Sequence, residues 1–147
     1  MPPADTLHVM VLDASVAVRW VVQEASSDEA AALLEQDFAW ITPRLLLTEA
    51  ASALRRKVVD EDLAPAAAGQ SLDALLQAVA DGVIRLMDDE RVIGPALLLA
   101  VTLQHKVPDC LYLALAEREG AGIATADDRL ARLARSRGVR VLKVPHG

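Results

Sequence analysis

The sequence predicts an α/β fold: a mostly parallel sheet of about five strands, covered by helices on both faces. Three observations carry this reading. Short β-forming runs ("HVMVL", "FAWIT", "VIRLM", "IAT" and "VRVLKV") alternate with longer stretches of helical period. Each intervening stretch is long enough for a crossover between parallel neighbours. The composition is 53% hydrophobic but only 3% aromatic, so the interior must be built from Ala, Leu and Val, which favours helices packed closely on a sheet.

The first strand covers roughly His8 to Leu12 and is closed by Asp13, and a short helix follows from about Ser15. "SSDEAAALLEQ" then places Ser26 three residues ahead of Glu29, a capping-box pattern before an Ala/Leu helix. "FAWIT" is the second strand. Pro43 suits the first turn of a helix running to about Val59, along which Leu47, Ala51, Leu54 and Val58 form an apolar stripe. Pro65 opens a further helix that ends near Gly82, and "VIRLM" is the third strand. Asp89 to Gln104 reads as helix, but Gly94-Pro95 inside it must kink it or delay its start. Another helix spans about Asp109 to Glu119, Gly120 and Gly122 break the chain, and "IAT" is a short buried strand. A helix from near Asp127 to Arg137, capped by Gly138, leads into "VRVLKV". No repeat, low-complexity tract or linker interrupts residues 1–147, so one domain is expected, long enough to bury its own core.

Bulk properties exclude several classes. The single cysteine, Cys110, rules out an internal disulfide framework and any multi-cysteine zinc or iron–sulfur site, and suits a reducing cytoplasm. "MPPADTLHVM" has no basic leader followed by an apolar stretch, so no secretory signal is expected. The longest apolar candidate, Ala96 to Leu103, is far below the roughly 20 residues a membrane span requires. A net charge of -6 argues against a protein that coats nucleic acid through bulk attraction. The charge is uneven, however: from Arg129 to Gly147 there are six basic residues and no acid.

Most acids have ordinary roles. "DED" at 60–62 reads as a turn, "DDE" at 88–90 as the negative start of a helix, and Glu117 and Glu119 as an exposed helix end. Four are placed differently. Asp13 closes the first strand, and Asp127, in "TADDRL", follows the strand "IAT", so in a parallel sheet both emerge at the same edge. Asp109 starts a helix and Glu49 lies within the first two turns of another, and helices entering from that edge bring all four together. Singly, Asp109 and Asp127 could be N-caps, Asp13 a turn former and Glu49 a surface partner of Arg56. Together, several carboxylates at one edge repel unless something neutralises them.

A hard divalent cation does so best, since Mg²⁺ and Mn²⁺ take oxygen ligands, commonly one or two carboxylates plus water and phosphate oxygens. His8, His105 and His146 fall outside any ligand-like spacing, which argues against zinc. Such a cluster suits in-line hydrolysis of a phosphodiester and requires no nucleophilic side chain. None is evident, for no G-x-S-x-G occurs and Cys110 has no recognisable histidine partner. The hydroxyls of Ser15 and Thr125, each two residues from a cluster aspartate, can orient a carboxylate or a water on the ion, and Ser15 can equally cap its helix.

The series "VLDASV", "TEAASALRR", "PDCLYLALAERE" and "IATADDRLAR", with Glu49 lying 36 positions after Asp13 and Asp127 lying 18 after Asp109, resembles the PIN domain, specifically the small bacterial VapC-like toxins of toxin–antitoxin pairs. The resemblance spans nearly the whole chain. It implies a three-layer α/β/α sandwich and a Mg²⁺- or Mn²⁺-dependent endoribonuclease. Asp13, Glu49, Asp109 and Asp127 match its acidic quartet, Ser15 and Thr125 its hydroxyl positions, and Asp128 an auxiliary position that is variably acidic or polar. Cys110 stands where a small residue is frequent, and Gly94-Pro95 interrupts a helix that is usually continuous, beside the surface that partners use. The resemblance also implies a homodimer and a cognate VapB-like antitoxin whose C-terminal segment lies across the active-site groove. Apolar stretches such as Ala30 to Leu34 and Leu72 to Val79 serve the core or a docking groove. Arg19, Arg55, Arg56, Arg129 and Arg132 are the candidate RNA contacts, and with two Trp, one Tyr and one Phe there is little material for stacking bases.

Other readings fit less well. A phosphoacceptor signalling domain needs a lysine ending a late strand near the site, and Lys143 lies inside the last one. A haloacid-dehalogenase-type phosphatase needs D-x-D where this chain has "DAS". A PIN-like module that binds RNA or a partner without cutting, and an RNA-processing or DNA nuclease with the same acids, remain as alternatives.

Overall fold

The structure, a computed structural model, describes residues 8–145. The residues before His8, where no secretory leader is expected, and His146 lie outside the described part. The elements follow the expected alternation: β1 (His8–Leu12), α1 (Ala14–Val21), α2 (Ser27–Leu34), β2 (Phe38–Pro43), α3 (Leu45–Val59), α4 (Pro65–Ala80), β3 (Ile84–Met87), a 3-10 turn (Asp89–Arg91), α5 (Ile93–Leu103), α6 (Val107–Glu119), β4 (Gly122–Thr125), α7 (Asp128–Ser136) and β5 (Val141–Lys143).

The strands form one sheet in the order β3-β2-β1-β4-β5, and every pairing is parallel. Successive strand residues point to opposite faces. Met10, Leu12, Trp40 and Ala124 therefore pack under α1 to α4, while Val11, Ile41 and Ile123 pack under α5, α6 and α7. This is the expected three-layer α/β/α sandwich, and burial on both faces explains why β1 and β4 read as nearly continuous apolar runs. β1 has β2 on one side and β4 on the other. Chain order reverses there, and the carboxyl ends of β1 and β4 open a crevice at such a switch point. Among the described residues no helix is long and apolar enough to cross a membrane.

Three local expectations change, and one open alternative, at Gly94-Pro95, is decided. Pro43 ends β2, in register with Met87, and α3 starts only at Leu45. Ser26 makes no capping box: its backbone is left-handed (φ 69°) and its side chain caps nothing. The neighbouring Ser27 takes over, donating from Oγ to the Val22 carbonyl and accepting from the Glu24 N–H, both at 2.9 Å. Gly94-Pro95 delays its helix instead of kinking it, because Pro95 is the third residue of α5 and its missing N–H falls among donors with no intrahelical acceptor. α6 begins at Val107, so Asp109 sits in its first turn and does not cap it.

Candidate active site

Asp13 is carried by the ladder beyond β1, its N–H donating to the Ala124 carbonyl at 3.1 Å. It occupies the N-cap position of α1, yet its carboxylate caps no helical N–H. Oδ2 instead accepts from Ser15 Oγ at 2.6 Å and Thr125 Oγ1 at 2.7 Å. Each hydroxyl accepts in turn from β4's exit, Ser15 from the Ala126 N–H (2.9 Å) and Thr125 from the Asp127 N–H (3.0 Å). The carboxylate thus ties the ends of β1 and β4 together, with Ser15 and Thr125 as its two hydroxyl donors.

The other three acids are fixed from different elements. Asp127 caps α7, Oδ1 accepting from the N–H groups of Arg129 (2.8 Å) and Leu130 (3.4 Å). Glu49 projects from α3 and accepts at Oε1 from the Tyr112 hydroxyl at 2.6 Å, so Arg56 is not its partner. Asp109 Oδ2 lies 2.8 Å from His105 Nε2. Each carboxylate therefore spends one oxygen on an anchor, and no hydrogen bond among the described residues occupies Asp13 Oδ1, Glu49 Oε2, Asp109 Oδ1 or Asp127 Oδ2.

All four line one cleft of about 610 Å³, together with Ser15, Arg19, Arg56 and Lys57. Its electrostatics are those of acids crowded out of water. Asp13 is 7% exposed, and burial raises its pKa above the ordinary 3.8. The two hydroxyl bonds pull it back, and the charges of Asp109 and Asp127 add to the rise. Glu49 is raised above 4.5 by burial, lowered by the Tyr112 bond, and raised again by Asp13, Asp109 and Asp127. The Tyr112 phenol, buried beside these acids, is pushed far up and serves as a neutral donor.

This donor set consists of hard oxygens and fits Mg²⁺ or Mn²⁺ better than zinc. Among the described residues no three Asp, Glu, His or Cys side chains form a ready-made metal cage; Mg²⁺ does not require one, since it usually keeps several waters beside one or two carboxylates.

Of the five arginines expected near RNA, Arg19 and Arg56 line the acidic cleft, and Arg19, Arg129 and Arg132 line an adjoining cleft of about 620 Å³ that shares Ser15, Arg19 and Asp127 with it. Arg55 lines neither and lies exposed on α3. Asp128 faces this second cleft and forms an ion pair with Lys143 at 2.9 Å. Sequence reasoning missed His105 and Tyr112. They stand four residues before and three after Asp109, but His105 precedes α6, a histidine outside any ligand spacing carries no signal, and Tyr112 is indistinguishable from core.

Tyr112→Phe removes the Glu49 anchor and the contact of the phenol oxygen with the Ala14 backbone. The expected result is about 1 kcal/mol lower stability, read by chemical denaturation. Because the lost bond lowers the Glu49 pKa, the Glu49 carboxyl of the variant should titrate at higher pH. An unchanged Glu49 titration would mean that Tyr112 is not its anchor.

The PIN domain family model matches residues 10–136. No curated protein sequence matches the chain. Among solved structures, the sarcin-ricin loop cleaving toxin VapC20 of Mycobacterium tuberculosis superposes with a TM-score of 0.70 at 14% identity, over 84% of this chain and 94% of that one. PAE2754 of Pyrobaculum aerophilum gives 0.65 at 24% identity, over 91% and 83%. VapBC2 of Rickettsia felis, bound to a promoter DNA fragment, gives 0.60 at 14%, over 92% and 98%. At these identities the likeness is one of fold.

Proposed function

Because this chain belongs to the PIN domain family, we propose that it is a Mg²⁺- or Mn²⁺-dependent endoribonuclease, acting in the cytoplasm as a VapC-like toxin held in check by a cognate antitoxin. One observation carries the reading: carboxylates from four separate elements line one cleft, each anchored by one oxygen while the other has no hydrogen bond among the described residues. Asp13, Asp109 and Asp127 would hold the ion, with Glu49 beside them. A bound ion supplies an activated water and neutralises charge developing on the phosphate. Asp13 is the fixed point of the site, held by Ser15 and Thr125 and unable to rotate without breaking both bonds. Glu49, its pKa raised by burial, takes the proton of the attacking water at Oε2. Tyr112 keeps Glu49 turned toward the cleft.

RNA is held on either side of the acids, by Arg56 and Arg19 in one cleft and by Arg19, Arg129 and Arg132 in the other. Toxin action is supported by fold likeness to VapC20 and VapBC2. A homodimer is supported by α5, where Ile93, Leu97, Leu98 and Val101 form an apolar stripe 46–69% exposed, more than a lone soluble helix face normally leaves in water.

The test is cleavage of purified RNA. Fragments should appear with Mg²⁺ or Mn²⁺ and stop on chelation, and induced expression should arrest growth. Equal cleavage in excess chelator would contradict the reading. In the cleavage-dead Asp13→Asn background, replacing Arg129 and Arg132 by Ala should weaken RNA binding across sequences. The slope of log affinity against log salt should flatten by about 0.7 for each phosphate no longer neutralised, and an unchanged slope would place the RNA elsewhere.

A further inference from the structure

We infer that His105 is a positioning residue of this site: its Nε2–H, donated to Asp109 Oδ2, holds the Asp109 carboxylate so that Oδ1 faces the cleft as an ion ligand. The inference rests on the proposed metal-dependent reading and adds a residue to it.

The geometry is built by the backbone. α5 is capped at its C-terminal end by Gln104, a non-glycine residue in the left-handed region (φ 53°, ψ 51°), a conformation such residues adopt only at some cost. The N–H of His105 returns to the Ala100 carbonyl at 3.0 Å, locking the turn, and α6 starts two residues later at Val107. The side chain is therefore delivered over the first turn of α6, where Nε2 lies 2.8 Å from Asp109 Oδ2. Both side chains are largely removed from water, 12% and 18% exposed, where a hydrogen bond to a charged group is stronger than at the surface. A carboxylate offers acceptors only, so the imidazole nitrogen is the donor. Among the described residues Asp109 has no other anchor, whereas Asp13 has two hydroxyls, Asp127 two backbone N–H groups and Glu49 a phenol. Without His105 the Asp109 carboxylate is free to turn, and a ligand that must be ordered on binding holds its ion less tightly.

The experiment is Mn²⁺ titration by calorimetry of the full chain and of three variants, each with its metal-free thermal midpoint measured. His105→Gln keeps an N–H donor the same number of bonds from Cβ, and its affinity should stay within about threefold of the parent. His105→Leu keeps the bulk without the donor, and should lose 10–100-fold in affinity while unfolding near the parent temperature. His105→Asn, one carbon too short to reach, should behave like Leu, and carries the contrast with Gln should the Leu variant not fold. A folded Leu or Asn variant with parental affinity would overturn the inference, as would a Gln variant as weak as Leu, and either would leave the metal-dependent reading standing. A parent chain that takes up no Mn²⁺ would bring down both.

Discussion

Asp13→Asn is expected to abolish RNA cleavage and, in the same protein, to raise the melting temperature of the metal-free chain. The two effects have one cause. Asp13 is buried, with burial the main reason its pKa is raised and the charges of Asp109 and Asp127 adding to it. An ionised carboxylate there is costly unless a cation answers it. Asn keeps an oxygen to accept from Ser15 and Thr125, removes the charge, and deletes the proposed central ligand. The rate should fall by about 10³-fold or more, as when one member of a preorganised electrostatic site is lost. The midpoint should rise by several degrees, one kcal/mol being about 3 °C at this length. The pH dependence follows from the same shifts. Asp13 and Glu49 have folded pKa values above their ordinary 3.8 and 4.5. The folded state therefore binds more protons than the unfolded chain between those values and the raised ones. Their contribution to stability is fully present below the ordinary values and is lost as pH rises through the raised ones. Melting curves of the metal-free protein across that window should show the loss, and Asp13→Asn should show less of it. A variant that cleaves at the parental rate removes Asp13 from the site.

The largest stability effect is expected at Gly122→Val. Gly122 opens β4 opposite Met10 of β1, at the end of the strand away from the acidic cleft. A Cβ there would stand 2.9 Å from Met10 Sδ, 3.0 Å from Met10 Cε and 3.0 Å from the Arg140 carbonyl oxygen. Met10 is sealed in the core at 1% exposure, and the Arg140 carbonyl already accepts from the Ile123 N–H at 2.9 Å, so neither retreats freely. Val should cost about 3 kcal/mol and Ala rather less, the range for overpacking a filled interior. The strand it displaces carries Thr125 and leads to Asp127, so cleavage should fall with stability. Chemical denaturation measures the loss. Combining Gly122→Ala with Met10→Ala should cost less than the two changes summed, by about 1 kcal/mol, whereas strict additivity would mean that Met10 is not the obstacle.

The sheet and its acidic edge were legible because both are written in local order. A carboxylate directly after an apolar strand occurs at Asp13 and again just beyond "IAT" at Asp127, and parallel pairing carries both to the same edge. What escaped depends on tertiary packing. Pro43 has the residue type of a helix start, but pairing with β3 holds it in the sheet through Met87. Ser26 has the spacing of a capping box, yet the left-handed turn before α2 hands the polar work to Ser27. Gly122 reads as a chain breaker, whereas its smallness answers a side chain from another strand. Arg55 and Arg56 are adjacent in sequence, and only the facing of α3 decides that Arg56 lines the cleft. His105 and Tyr112 acquire meaning only once Asp109 and Glu49 are known to share that cleft.

The most direct test of the central claim, that the four carboxylates act as one site for a divalent ion, is the melting temperature as a function of Mn²⁺ concentration at pH 7.5. For the parent it should climb with the logarithm of the ion concentration once the site saturates, as for any ligand that binds only the folded state. For Asp13→Asn and Asp109→Asn it should start higher or level and stay flat. A parent curve as flat as those of the variants would contradict the account.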